Sequence, residues 1–198
     1  MSTIKVNNIE SYTPGNPLNV NDELQITGSS ATGAKSFSHG LKTTASGDFS
    51  HAEGDRSKAS SGSYAHAEGT LTDAKGIGTH AEGYQTVALG AQSHAEGYYT
   101  VTSQSGAHAE GYRTSTDSRY QHVQGHWNAT SSGSNGFYGG AYMVIGNGSN
   151  SSNRRNLAEF HRRAFIFDTG SIPTSDPGVL GQLYRTGSNR DEIKISFG

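Results

Sequence analysis

No cysteine occurs in this chain, which excludes disulfides and thiolate metal sites. Proline is down to 4 residues, methionine to 2 and tryptophan to 1. Hydrophobic residues make up 31% of the 198, well below the roughly 45–50% of ordinary globular domains, so a large apolar core is excluded. A net charge of −2 leaves no basic footprint for nucleic acid. No apolar run approaches the ~18 residues of a membrane span. Met1–Val6 shows no basic stretch leading into an apolar one, so no secretory signal is read there. The expectation is a product made in the cytoplasm, with neither a membrane nor a nucleic acid as partner.

What is abundant is glycine, 27 residues, and repetition. His-Ala-Glu-Gly begins at His51, His66, His80, His94 and His108, and a degenerate copy reads His122-Val123-Gln124-Gly125. The spacings are 15, 14, 14, 14 and 14 residues, and a weaker copy, Phe37-Ser38-His39-Gly40, begins 14 before His51. A register this tight is the signature of a solenoid, one supersecondary unit stacked on the next. The interior of such a coil is too narrow for large side chains. Each protomer then buries little, and oligomerisation is the expected remedy.

One unit, His80 to Ser93, holds two short alternating segments, His-Ala-Glu and Thr-Val-Ala-Leu, separated by glycine-containing turns. Successive side chains of a strand point to opposite faces. Ala81 therefore faces one way, and His80 and Glu82 the other. In the second segment Thr86 and Ala88 share a face whose equivalents stay small (Thr72/Ala74, Thr100/Thr102, Thr114/Thr116, Asn128/Thr130), as an interior requires. The roll interior is thus read as Ala52, Ala67, Ala74, Ala81, Ala88, Ala95, Thr102, Ala109 and Thr116. Alternate positions drift among Asp73, Lys75, Val87, Leu89, Val101 and Ser103, as a solvated face does. The His/Glu face points outward and yet hardly varies, which marks an interface. Seven coils at about 4.8 Å would make a rod of roughly 34 Å. The one extra residue, between His51 and His66, is assigned to a bulge or widened turn within Asp55–Ser60.

Three regions follow. Residues 1–33 read as short docking strands (Ile4, Val6, Ile9, then Leu18 to Ile26) with a break at Pro14–Pro17 and a hinge or entry into the array at Gly28–Gly33. Residues 34–134 are the array. Residues 135–198 lose the repeat and gain apolar runs (Phe137–Tyr138, Ala141–Ile145, Ala164–Phe167, Val179–Leu180, Ile193–Phe197) that read as a β-rich cap or knob. Arg154–Arg163 reads equally as helix or strand. The segment from Pro177 to Phe197 reads as a β-hairpin.

The unit Ser-His-Ala-Glu-Gly-x-x-Thr-x-Ala-x-Gly resembles the 14-residue repeat of trimeric autotransporter adhesin heads, Ser-Val-Ala-Ile-Gly-x-x-Ser-x-Ala-x-Gly. His stands where that family has Val, and Glu where it has Ile. Over residues 37–134 the resemblance implies an all-β fold: a left-handed parallel β-roll of about seven 14-residue coils, homotrimeric, with those two positions facing the trimer axis. His-Ala-Glu-Gly repeats also resemble segments of bacteriophage tail and fibre proteins. The flanks, Ser2-Thr3-Ile4-Lys5-Val6-Asn7-Asn8-Ile9 and Gly181-Gln182-Leu183-Tyr184-Arg185 with Ile193-Lys194-Ile195-Ser196, look like the ends of structural proteins of tailed phages, notably those of cyanobacteria.

On this reading the trimer interface comprises His51, Glu53, His66, Glu68, His80, Glu82, His94, Glu96, His108, Glu110, His122 and Gln124. Pairing of His with Glu satisfies groups that are costly to bury alone. Burial in such layers would raise the His pKa values and lower those of Glu. Metal binding by axial His51, His66, His80, His94, His108 and His122 is the less favoured reading, because no layer stands out as an open site. Catalysis is set aside, since His and Glu two apart on a strand lack the i, i+4 helical spacing of metalloprotease motifs. No catalytic residue, metal or cofactor is assigned. Tyr84, Tyr98 and Tyr112, with His126 next in register, form an aromatic ladder at a turn, a packing feature first and a candidate ligand stripe second. The threonine pairs share interior parity, against an ice-binding surface. Arg154, Arg155, Arg162 and Arg163 read as solvated or interchain charges.

The resemblance implies a non-enzymatic structural protein of a tailed-phage virion (fibre, head decoration or neck and tail appendage), docked to other virion proteins through residues 1–33. The alternative is an adhesin module of a tail fibre, binding a receptor or glycan through the C-terminal knob.

Overall fold

The computed structural model of the chain describes residues 24–25, 28–130, 141–161, 165–167, 178–179, 183–185 and 193–195. Among these residues every regular element is a β-strand. The array is a parallel β-solenoid. Each full coil contributes a long strand, such as His80–Tyr84, and a two-residue strand, such as Val87–Ala88. The first strands of the coils line up in one sheet of eleven, whose last two strands are antiparallel additions beyond the coils, and the short ones in a parallel sheet of seven. Register runs unbroken, with His80 beside His66 and His94, Ala81 beside Ala67 and Ala95, and Glu82 beside Glu68 and Glu96.

The interior is built almost wholly from methyl groups and hydroxyls. Ala52, Ala67, Ala74, Ala81, Ala88, Ala95, Ala109, Thr102 and Thr116 are all fully buried, whereas Lys75, Leu89 and Ser103 lie exposed. The narrow bore is why alanine recurs: two sheets this close leave no room for Leu or Phe. Asn128 is buried as the parity argument required, but Thr130 is exposed. Asn128 ends the short sheet instead, its side chain replacing the next backbone rung. Ser115 N donates to Asn128 Oδ1 (2.8 Å), and Asn128 Nδ2 donates to Ser115 O (2.9 Å). Asn156 repeats the device on Ala129, accepting from its N–H and donating to its carbonyl.

The corners carry what the repeat left hidden. Lys42, Arg56, Leu71, Gln85, Tyr99, Arg113 and Trp127 occupy one corner column, all with positive φ between 45° and 59°. The left-handed region costs a non-glycine residue about 1 kcal/mol or more. A coil-to-coil bond from the same residue offsets this. Tyr99 N donates to Tyr84 O, Arg113 N to Tyr98 O and Trp127 N to Tyr112 O, at 2.8–3.0 Å. Glycine is required two residues earlier. Gly83 has φ +103°, and a Cβ there would run into the carbonyl of Gly97 on the next coil.

Strand pairing decides between the alternatives at two boundaries. The extra residue lies outside Asp55–Ala59, where both strands keep register; Lys58 pairs with Asp73 and Ala59 with Ala74, at the same offset of 15 as His51 with His66. Gly47, 15 residues before Gly62, packs against it, so the insertion is in Ser60–Ser61, at the C-terminal edge of the expected stretch, and takes the expected form of a widened turn and not that of a bulge. Gly28–Gly33 is the entry into the array, the second of the two expected readings. Ser30–Ala31 pairs with Thr44–Ala45 and Leu24–Gln25 with Phe37–Ser38, so the solenoid reaches back before residue 34. The other N-terminal segments read as strands, Ile4 to Ile9 and Leu18 to Val20, lie outside the described residues.

At the far end the parallel sheet also outlasts the repeat. Met143–Asn147 pairs with His122–His126 as another parallel rung, 21 residues on instead of 14. Asn156–Phe160 then pairs with it antiparallel, followed by Phe165–Phe167, so half of Arg154–Arg163 is strand. Leu183–Arg185 pairs antiparallel with Ile193–Ile195, the expected hairpin partners. Phe137 and Tyr138 lie outside the described residues, as do Arg162 and Arg163.

Candidate functional site: the histidine and glutamate ladder

The outward face of the long sheet carries two columns. One runs Phe37, His51, His66, His80, His94, His108, His122, Met143; the other His39, Glu53, Glu68, Glu82, Glu96, Glu110, Gln124, Ile145. Strand parity with the buried alanines sends both columns outward, where the residues are half-exposed in the single chain. His39 therefore belongs to the carboxylate column. The Phe37-Ser38-His39-Gly40 copy carried that information, because its His occupies the third place and not the first. Apolar residues close both columns at the C-terminal end, Met143 and Ile145.

The inter-rung spacing turns the histidines into a stack. Ring centroids from His51 to His108 lie 4.6–4.8 Å apart with planes within 9° of parallel, and His108 to His122 continues at 4.7 Å. The carboxylates meet this stack in two ways. Toward the ends, Glu96 accepts from His108 Nε2 at 3.3 Å and Glu110 faces His122 Nε2 at 3.2 Å. His39 and Glu53 approach to 3.2 Å. In the middle the separations open: His66 to Glu68 is 3.8 Å, His80 to Glu68 3.9 Å and His80 to Glu82 3.6 Å. Among the described residues, the Nε2 atoms of His51, His66, His80 and His94 are shielded from water and have no hydrogen-bond partner.

Burial pushes His66 and His94 below the ordinary histidine value, and the flanking imidazoles push the same way, His80 and His51 on the first, His80 and His108 on the second. The neighbouring carboxylates pull upward without prevailing. In the single chain burial outweighs the carboxylates at these two histidines; the rise expected from sequence concerned layers buried between copies of the chain. Glu110 is subject to desolvation that would raise it, yet the hydrogen bond from His122 holds it below the usual carboxylate value.

The tyrosines also fall into one column, with Tyr84 to Tyr98 at 4.9 Å and Tyr98 to Tyr112 at 5.2 Å, stacked face to face, and His126 on the next rung. The faces a sugar would stack on are taken by neighbouring rings. Arg113 covers Tyr99 (4.1 Å) and Trp127 (4.8 Å), a corner cluster that a single residue pattern could not announce. Arg154 lies over Trp127 at 5.0 Å and donates to the Arg113 and Asn128 carbonyls, so it ties the following segment to the last coil.

Among the described residues no helix is long and apolar enough to cross a membrane. Comparison with family models, with curated proteins and with solved structures gives no match for the chain.

Proposed function

We propose that this chain is a non-enzymatic structural protein that assembles as a homotrimer through the His/Glu face, in the manner of a fibre or appendage of a tailed-phage virion. One observation carries the proposal: an outward face of constant chemistry holds shielded imidazole nitrogens that have no partner among the described residues. Unpaired shielded polar atoms cost free energy, and a second and third copy would supply acceptors for them. The meagre interior of alanine and threonine supports the same conclusion, since oligomerisation adds the burial that one chain lacks. The virion context rests on the repeat and flank resemblances. Docking to other virion proteins is proposed for residues 1–33, and the left hand of the roll for the array. Sedimentation velocity of the full chain tests the assembly, with a trimer expected. Among the described residues the stacked tyrosines offer edges rather than faces, which weighs against their use as the glycan platform of an adhesin.

A further inference from the structure

We propose that the gap beside Tyr64, at the corner leading into the long sheet, binds one pyranose ring of a neutral glycan. This corner is a second left-handed column, running Phe49, Tyr64, Gly78, Gln92, Gly106, Tyr120, with φ between 55° and 66°. Its coils are tied together by the backbone. Tyr64 N donates to Asp48 O, Gly78 N to Ser63 O and Gln92 N to Ile77 O, at 2.8–2.9 Å. Phe49 and Tyr64 stack at 5.1 Å with planes 7° apart, which occupies one face of Tyr64. The next rung, over the other face, is Gly78 and brings no side chain. A Cβ there would meet nothing nearer than Gln92 Cγ at 3.9 Å. The column's other glycine differs, because the Tyr120 ring lies where a Cβ on Gly106 would stand. One glycine rung is thus filled by a neighbouring ring and the other is open. Tyr64 is 64% exposed and Ile77, beside the gap, 61%.

The thickness of the gap and its rim select the guest. Coils stand about 4.8 Å apart, so Tyr64 and Gln92, two coils apart, are separated by roughly 9.6 Å. One ring in between sits at the spacing at which the chain stacks its own tyrosines, 4.9–5.2 Å. A pyranose presents weakly positive C–H groups to the negative face of the phenol and keeps its hydroxyls at the rim. The rim here is polar and uncharged: the exposed Gln92 carboxamide on the far side and the half-buried Ser63 hydroxyl beside Tyr64. Charges of the preceding coils are engaged elsewhere. Lys35 Nζ lies over the Phe49 ring at 5.5 Å, and Asp48 Oδ1 accepts from Ala34 N at 2.9 Å. An aromatic side chain would match the thickness and leave the rim unused. A contact of one ring is weak, on the order of a millimolar Kd, and gains by repetition along a polymer. The gap lies at the corner and off the His/Glu face, so it does not depend on the trimer.

Saturation-transfer difference NMR on the full-length chain, irradiating protein methyl protons, reads the contact. The probes are the methyl glycosides of glucose, galactose and mannose, both anomers, at millimolar concentration. Wild type is expected to transfer to the C–H protons on one face of at least one of them. Tyr64→Ala should reduce that transfer at least fivefold. Gly78→Gln should do the same, since it fills the rung with the residue that Gln92 already holds at φ 57°. Should Tyr64→Ala not fold, Gly78→Gln keeps every ring and carries the test. Tyr98→Ala should retain the transfer, because both faces of Tyr98 are covered by its neighbours. Glu82→Lys should retain it too, which separates this site from the assembly face. Transfer to none of the glycosides, or equal transfer with folded Gly78→Gln, overturns the site. Transfer to N-acetyltyrosinamide in their place overturns the sugar and assigns the gap to an aromatic side chain.

Discussion

The two sheets of the solenoid share one coil, one spacing and one interior, yet their outward faces obey different rules. The long sheet repeats His and Glu rung after rung. Across the same rungs the short sheet presents Thr44, Lys58, Asp73, Val87, Val101 and Ser115. Its charges are settled locally, as where Lys75 meets Asp73 at 3.0 Å. The imidazoles of the long sheet keep shielded nitrogens unpaired. Backbone geometry cannot explain the contrast, because both faces are flat parallel sheets. A face free to drift answers to water, and a face held constant answers to something that fits it.

Substitutions can break this comparison at graded depth. The largest effect is expected at Gly83, where alanine meets both the left-handed φ and the Gly97 carbonyl. Gly83→Ala should cost about 4 kcal/mol or more, read by denaturant unfolding, or prevent folding altogether. On the faces the sheets should separate cleanly. Glu82→Lys should weaken self-association at least tenfold without unfolding the coil. Val101→Lys, in a column that already holds Lys58 and Asp73, should change stability by less than about 0.5 kcal/mol and leave association intact. Equal effects of the two lysines would erase the distinction.

Acid supplies a gentler probe of the same asymmetry. His66 and His94 have folded pKa values below their unfolded ones, so the folded chain binds fewer protons through that interval. Their contribution is present above the ordinary histidine value and lost as pH falls through the lowered one. Glu110, also lowered, acts the same way at more acidic pH. Melting temperature should therefore fall between about pH 7 and pH 5. His66→Phe with His94→Phe should flatten that stretch of the curve.

The array was legible because each rung repeats the same parity test, and agreement among Ala52, Ala67, Ala81 and Ala95 leaves one way to face inward. The edges were less so. Gly28–Gly33 keeps the small-residue register but lacks a His-Ala-Glu-Gly to announce it. Met143–Asn147 keeps the register while exchanging His and Glu for Met and Ile after a longer connection. Corners such as Tyr99, Arg113 and Trp127 adopt a conformation that glycine would have signalled and these residues do not. The ladder's residues could be named from sequence. Their division into closed and open pairs depends on distances of a few tenths of an ångström, which no spacing encodes.

The claim that the His/Glu face is where copies of the chain meet is tested most directly by sedimentation velocity of the full-length protein across a concentration series near pH 7. The account predicts a single species at three times the 20.9 kDa chain mass, shifted toward monomer by Glu82→Lys. A stable, folded wild-type monomer at all concentrations would contradict it.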